Sequence, residues 1–144
     1  MKRRLRIAMI GQKGVPARFG GIETHVDHVA TRLAARGHDV TVYCRTRFRP
    51  GPTELAETDG FAHAPRGLTY NGTHLCYRPS INTKHLDAAT HAFVCTSEAI
   101  ARRSYDVVHY HGIGPSAFAP LARLSGASVF TTVHALDWRQ AKWG

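Results

Sequence analysis

Apolar positions follow two different periods along this chain, and the two periods alternate. Short runs of apolar and β-branched residues recur, each bounded by turn residues or charges. Such runs predict strands of a sheet that is covered on both faces. The predicted strands are Arg6–Ile10, Asp39–Cys44, one strand or a short hairpin within Leu68–Tyr77, Asp106–His111 and Ser128–His134. Asn71-Gly72 is a strong hairpin-turn signal inside the third of these.

Between the strands, apolar residues recur every three or four positions, which is the period of one helix face. The first such stretch carries Ile22, Val26, Val29 and Leu33 and closes at Gly37. Further helices are predicted over Thr83–Arg103 and from Pro115 to Ser125-Gly126. Arg45–Arg66 has no clear period and is predicted to be a loop or a mobile insertion.

Strands and helices therefore alternate through the chain. This alternation predicts an α/β fold, a Rossmann-like, doubly wound and mainly parallel sheet with helices on both faces. In such sheets, ligands bind beyond the carboxyl ends of the strands. Glycine and polar residues of this chain concentrate at those strand ends, so we expect the functional site there.

The composition narrows the class of protein. The 144 residues suffice for one domain, and no apolar run reaches the length needed to cross a bilayer. The basic start, Met1–Arg4, precedes an apolar stretch that is too short for a signal peptide. A cytoplasmic location is therefore predicted.

Cys44, Cys76 and Cys95 form no Cys-x-x-Cys pair and are predicted to be buried or half-buried thiols. The net charge of +9 favours an anionic partner, which includes phosphorylated small molecules, acidic lipid and nucleic acid.

The first candidate site is the glycine pair Gly20-Gly21 at the start of a helix. Glycines allow a phosphate to approach the backbone, and the free N–H groups of a helix start favour an anion. Neither the dinucleotide fingerprint Gly-x-Gly-x-x-Gly nor a P-loop is present, which counts against NAD and ATP. A diphosphate at this helix start stays open, as does a simple tight turn.

Histidines supply the second candidate chemistry. Strand alternation sends His109 and His111 to the same side of their strand, and His111 lies next to a glycine-containing loop. We interpret His109 as a core residue and His111 as a donor to a sugar hydroxyl or a phosphate. A zinc site formed with His134 is conceivable, but no further ligand has metal-site spacing, so no metal is predicted. Asp137 is expected either to orient His134 or bind a hydroxyl, or to cap a helix that begins at Trp138.

Several segments, taken in this order, resemble the amino-terminal domain of glycosyltransferases of the GT-B fold, family 4. They are Val15–Phe19 (VPARF), Gly20–Val26 (GGIETHV), Arg36–Tyr43 (RGHDVTVY), Asp106–Pro115 (DVVHYHGIGP) and Thr132–Trp138 (TVHALDW). That group comprises retaining, metal-independent transferases and includes bacterial rhamnosyl- and mannosyltransferases.

The resemblance implies a role for each matching position. It implies that Gly20 and Gly21 approach the diphosphate of a nucleotide-sugar donor and that His111 lies beside the donor sugar as the catalytic residue. It further implies that Glu23, Thr24, His134 and Asp137 hold a glycan or lipid-linked acceptor. The nucleotide-sugar is then a substrate, and no cofactor is expected.

The resemblance also bears on domain organisation. Residues 1–144 are expected to be a single N-terminal domain, truncated before a second, nucleotide-binding domain, and therefore inactive alone. The arginines Arg3, Arg4, Arg45, Arg47 and Arg49 suggest a peripheral position on the anionic inner face of a membrane. Nucleic acid is not an expected partner, because helix-turn-helix and zinc signatures are missing. The alternative function is a non-catalytic Rossmann-like binding or partner subunit.

Overall fold

The apolar runs form the strands of one sheet, and the amphipathic stretches form the helices that cover it. A computed structural model of the chain describes residues 2–18, 20–57, 61–64, 67–102 and 104–134. Within this part of the chain the strands are β1 (Arg6–Ile10), β2 (Asp39–Arg45), β3 (Phe61–Ala64), β4 (Gly67–Tyr70), β5 (Thr73–Arg78), β6 (Val107–His111) and β7 (Ser128–Thr132). The helices are α1 (Gly21–Ala35), α2 (Pro52–Glu57), α3 (Leu86–Arg102), α4 (Ile113–Ser116) and α5 (Ala119–Arg123), with a turn of 3₁₀ helix at Thr46–Phe48.

The described strands form one sheet in the order β3-β4-β5-β2-β1-β6-β7. β5, β2, β1, β6 and β7 are parallel to one another, whereas β4 pairs antiparallel with β5, and β3 antiparallel with β4, at one edge. Counted among the parallel strands alone, the order is 3-2-1-4-5, the Rossmann order. The predicted α/β, mainly parallel fold is therefore confirmed.

Each face of the sheet has its own hydrophobic core. On one face, Val26 and Ala30 of α1 pack with Met9 and Val42 and are fully buried. On the other face, Ala92 and Cys95 of α3 pack against alternate residues of the same central strands, among them Ala8 and Tyr110. A fully buried Val or Met side chain contributes about 1.5–3 kcal/mol, so Val26, Met9 and Val42 each stabilise the packing of α1 on the central strands by about this amount.

The predicted hairpin forms around Asn71-Gly72. β4 and β5 are antiparallel, and the two turn residues have φ values of 44° and 81°. Two consecutive residues with positive φ define the turn that matches the twist of a hairpin, and Asn-Gly is its preferred sequence. The choice between one strand and a hairpin is thus resolved as a hairpin.

Two predictions along the chain are wrong in part. The predicted loop Arg45–Arg66 includes a 3₁₀ turn, α2 and β3, since Pro52 occupies the first position of α2 and β3 pairs with β4. The single helix predicted from Pro115 is divided into α4 and α5. Pro120 explains the division, because proline lacks an N–H donor and its ring clashes with the carbonyl four residues earlier, that of Ser116.

The three cysteines are free thiols, as the sequence predicted. Cys44 and Cys95 are buried and Cys76 is half-buried. Burial raises the pKa of the Cys44 thiol to about 12 and also raises the pKa of Cys76 and Cys95. The thiols are therefore protonated at neutral pH and act as small apolar side chains. Within the described residues, no helix combines the length and the apolar character that a membrane span requires.

Candidate functional site

The chain order reverses between β1 and β6, and the candidate site lies at the carboxyl ends of these two strands. From β1 the chain proceeds to β2 on one side, and it later returns to form β6 on the other side. The two strand ends lie very close together at Gly11. A Cβ atom at Gly11 would be 2.3 Å from the His111 carbonyl oxygen, and its φ is 122°. Only glycine fits both requirements.

The side chain of Gln12 anchors the start of the loop that follows β1. This side chain is fully buried, and its amide Nε2 donates to the carbonyl oxygens of Met9 at 3.1 Å and Tyr43 at 2.7 Å. The two acceptors belong to the ends of neighbouring strands β1 and β2. Gln12 therefore fixes the start of the loop relative to the sheet.

Acidic side chains of α1 hold the rest of this loop. The Lys13 amide donates to Glu23 Oε1 at 3.0 Å, and the Ala17 amide donates to Asp27 Oδ2 at 3.0 Å. Glu23 is only 6% exposed, so its carboxylate satisfies a backbone donor inside the protein. Thr24, one residue further, is exposed and donates from Oγ1 to the Gly20 carbonyl at 2.9 Å. The loop and the first turn of α1 form one connected unit.

The first turn of α1 is open to solvent at its glycine pair. Gly20 precedes the helix with φ 145°, and it offers no side chain to cap the helix. A Cβ atom at Gly21 would meet nothing within 4 Å. The first N–H groups of a helix lack intrahelical acceptors and carry the positive end of the helix dipole. This helix start is therefore shaped to receive an anion.

Four histidines meet beside this helix start, and we call them the histidine cluster: His25, His109, His111 and His134. The rings of His109 and His111 are 4.1 Å apart between centroids, so both lie on the α1 side of β6, as alternation predicted. His111 Nδ1 lies 3.3 Å from His134 Nε2, and the His25 ring is 4.9 Å from that of His134. His109 Nε2 lies 2.7 Å from Thr132 Oγ1.

Burial keeps much of this cluster uncharged. Burial, with smaller contributions from the neighbouring His109, His134 and His25, lowers the pKa of His111 to about 3. Burial also lowers the pKa of His109 and of His134, although Glu23 opposes the shift at His134. At neutral pH the His111 imidazole is therefore a neutral group that offers one N–H donor and one nitrogen acceptor. His111 Nε2 is buried without a hydrogen-bond partner among the described residues.

Comparison with known proteins agrees with this geometry. The sequence model of Glycosyltransferase Family 4 matches residues 19–144, which include α1, the histidine cluster and most of the sheet. The chain belongs to glycosyltransferase family 4. Curated relatives from two strains of Mycobacterium tuberculosis, CDC 1551 / Oshkosh and H37Rv, are both named glycogen synthase. Each is 26% identical over 151 aligned residues, which is 96% of this chain and 36% of the relative. The chain thus spans about a third of their length.

The family 4 domain brings together most of the site residues that the sequence predicted. Gly20, Gly21, Glu23, Thr24, His111 and His134 all lie at the carboxyl edge of the sheet. Asp137 lies outside the described residues. The buried Glu23 carboxylate faces the loop backbone, and the acceptor-binding roles of Glu23, Thr24 and His134 stay predictions.

Sequence reasoning missed two site residues of the family 4 domain. Gln12 lies two residues after the buried strand β1, and a polar residue so close to a strand end is a signal that could have identified it. His25 lies in the first turn of α1, where the side chain faces the ends of β6 and β7. Its position five residues after Gly20 placed it at the carboxyl edge, but its distance from His111 in the sequence concealed their contact.

The five arginines of the predicted membrane-binding set lie at two opposite edges of the sheet in the family 4 domain. Arg3 and Arg4 precede β1 and pair with Asp106 and Asp39 at 3.0 and 3.9 Å. The other three arginines of the predicted membrane-binding set lie at the carboxyl edge, where Arg45 ends β2 and Arg47 and Arg49 follow it. The five arginines therefore do not form a single patch.

At the carboxyl edge, Arg45 is buried rather than displayed. Its side chain is 7% exposed, and its NH1 group donates to Asp87 Oδ2 at 2.7 Å, where Arg47 also binds. Arg47 and Lys13 lie over the ring of Phe48 at 4.9 and 5.5 Å. Arg45 thus stabilises the loops around the site and is not available to a membrane surface.

Proposed function

We propose that this domain is the acceptor-side half of a transferase that moves a sugar from a nucleotide-sugar donor to a glycan or lipid-linked acceptor. One observation carries the proposal: in a family 4 chain, an uncapped helix start and a buried neutral histidine converge at the point where the strand order reverses. An anion and a polar sugar hydroxyl are the two groups that such a pair of features recognises. A nucleotide-sugar carries both.

The donor diphosphate would lie at the start of α1. The space in front of Gly21 is open, and the N–H groups of the first turn are directed toward it. Negative charge that develops on the leaving diphosphate would be stabilised there by the helix dipole. From the resemblance to family 4 transferases we further infer that the transfer is retaining and metal-independent, with the nucleotide-sugar as a substrate and no cofactor.

His111 would contact the donor sugar at the reaction centre. The neutral imidazole can give or accept one hydrogen bond without placing a buried positive charge beside the sugar. Its position is fixed by β6 and by the neighbouring rings of His109 and His134. Fixed donors of this kind stabilise a transition state because they need no reorganisation during the reaction.

A hexosyl group is the transferred sugar that this proposal favours, as in the rhamnosyl- and mannosyltransferases that the sequence resembles. The relatives named glycogen synthase support a polysaccharide as acceptor and a role in polysaccharide biosynthesis. We further propose that the reaction needs a second, nucleotide-binding domain, because one helix start supplies few of the contacts that hold a nucleotide. Full transferase activity of the 144-residue chain alone would contradict this part of the proposal.

The central test is Gly21→Ala in the whole enzyme that carries both domains. The added methyl group enters open space and fits a helix, so stability should change by less than about 1 kcal/mol. It would nevertheless displace the diphosphate, and kcat/KM should fall by about a hundredfold. Gly51→Ala is the matched control, since a Cβ there also meets nothing within 4 Å and the residue lies outside α1, just before α2. Equal kcat/KM for Gly21→Ala and wild type would refute the donor position.

A second test addresses His111. His111→Ala in the same enzyme should lower kcat/KM by about a hundredfold, the cost of one fixed donor in a reaction centre. Circular dichroism and thermal melting must first show that the variant is folded, because His111 is buried. A folded variant with wild-type kcat/KM would remove His111 from the reaction centre.

We also propose that the domain works in the cytoplasm and binds peripherally to the anionic inner face of a membrane. Arg47 and Arg49 would contact the membrane, because both are exposed and lie at the same edge of the sheet as the site. Cosedimentation with anionic vesicles should weaken with added salt and with Arg47→Gln/Arg49→Gln. Arg3→Gln/Arg4→Gln, at the opposite edge, is the matched control. Salt-independent binding, or an equal loss in both double variants, would contradict the proposed surface.

A further inference from the structure

Three members of the histidine cluster come from three separate elements and present their nitrogens to one point. His25 lies in the first turn of α1, His111 ends β6, and His134 follows β7. One ring nitrogen from each lies within 4.8 Å of the other two. The sequence considered His109 as the third histidine, but the structure assigns that place to His25, because His109 Nε2 is bonded to Thr132.

The spacing suits a small divalent ion. Zinc–nitrogen bonds of about 2.0–2.1 Å in a tetrahedral site place two ligand nitrogens about 3.3 Å apart. His111 Nδ1 and His134 Nε2 are separated by 3.3 Å. The largest separation in the trio, 4.8 Å, exceeds the tetrahedral value by only about 1.5 Å. A rotation of the His25 side chain, which lies nearer the surface, would close that difference without moving the sheet.

The burial of His111 provides a second observation. His111 is 1% exposed, so its Nδ1, the nitrogen that faces His134 Nε2 at 3.3 Å, is shielded from water. His111 Nδ1 and His134 Nε2 face each other. One of these two nitrogens carries a proton and donates it to the other, so a single proton lies between them. An ion in that position would accept both lone pairs and the third from His25.

We propose that His25, His111 and His134 form a binding site for one divalent ion of the zinc class, with water as the fourth ligand. Three neutral imidazoles suit Zn²⁺, Cu²⁺ and Ni²⁺, whereas Mg²⁺ and Ca²⁺ require oxygen ligands. Sugar transfer as proposed above does not need this ion. The binding proposal therefore stands or falls independently of the transferase activity.

The test measures binding to the untagged chain after chelator treatment and dialysis. Zn²⁺ is titrated in competition with a chromophoric zinc indicator, and Co²⁺ serves as a spectroscopic probe because tetrahedral cobalt absorbs strongly in the visible range. We expect one ion per chain, a tetrahedral cobalt spectrum, and displacement of cobalt by Zn²⁺ but not by Mg²⁺.

Variants locate the ion. His25→Ala and His134→Ala should each weaken zinc binding at least about tenfold, since even outer-shell partners of a metal contribute that much. His28→Ala is the matched control, because His28 is an exposed histidine on the same helix. His25→Ala leaves the buried residues in place, so it answers the question even if His134→Ala fails to fold. No saturable binding, equal affinity in His25→Ala and wild type, or equal displacement by Mg²⁺ would overturn the proposal.

Discussion

His91 is a buried histidine in the middle of α3, on the face of the sheet opposite the histidine cluster, and it should make the fold sensitive to acid. Its Nε2 lies 3.1 Å from the Cys44 carbonyl oxygen, so Nε2 carries the proton and donates it. The other nitrogen, Nδ1, is buried without a hydrogen-bond partner in the described part of the chain. Protonation of Nδ1 would therefore create a buried cation with no acceptor beside it.

The sign and size of the effect follow from the pKa. The pKa of His91 is lowered from 6.5 to about 4, mainly by burial. Arg45 and Arg78 contribute to this shift, whereas the hydrogen bond to Cys44 and the charge of Asp87 oppose it. Between these two values the unfolded chain binds a proton that the folded chain does not. Stability is therefore lost as pH falls through this window. From pH 7.5 to pH 5 the loss from this residue is about 2 kcal/mol.

Urea unfolding of wild type and His91→Gln at pH 7.5, 6 and 5 measures this contribution. Glutamine can still donate to the Cys44 carbonyl but does not titrate, so the variant should lose about 2 kcal/mol less than wild type over the range. Other histidines titrate equally in both proteins and cancel in the difference. His28→Gln, at an exposed position, should follow wild type. Parallel stability curves for wild type and His91→Gln would refute the reasoning.

Two further substitutions test the contacts that shape the site. Gly11→Ala should lower the free energy of unfolding by more than about 2 kcal/mol, because its Cβ would lie 2.3 Å from the His111 carbonyl oxygen at a φ of 122°. Gly51→Ala is its control, and equal urea midpoints would contradict the close approach. Asp87→Asn should cost about 3 kcal/mol, because it leaves the buried Arg45 guanidinium without its carboxylate. A midpoint unchanged at pH 7.5 would mean that another group neutralises Arg45.

The sheet was predictable because its central strands are short apolar runs with few alternatives. β1 was predicted with its observed bounds, since RIAMI is buried at four of five positions and glycine follows it. The Asn71-Gly72 turn was predictable for a local reason: few other dipeptides adopt two positive φ values at low cost. In both cases, a few neighbouring residues determine the structure.

The errors arose where a distant contact or one proline determines the structure. β3 exists because it pairs with β4, and no pattern within its four residues indicates that pairing. Pro120 carried a readable signal, but the apolar period through Pro115–Ser125 concealed the break between α4 and α5. The contact between His25 and His111 depends on how α1 packs over β6, which the sequence fixes only through the whole fold.

The positive charge of the chain does not by itself locate the anion site. Several arginines are used in ion pairs that stabilise the fold: Arg3 and Arg6 bind Asp106, and Arg78 and Arg102 share Glu98. At the carboxyl edge, backbone N–H groups and the neutral His111 imidazole lie beside the open space in front of α1, and the Glu23 carboxylate lies close to Gly20. The recognition of an anion there would accordingly rest on the helix dipole, whose effect depends on close approach. Because the dipole acts only at short range, we expect donor binding to depend more on Gly21, which leaves the helix start open, than on a nearby arginine.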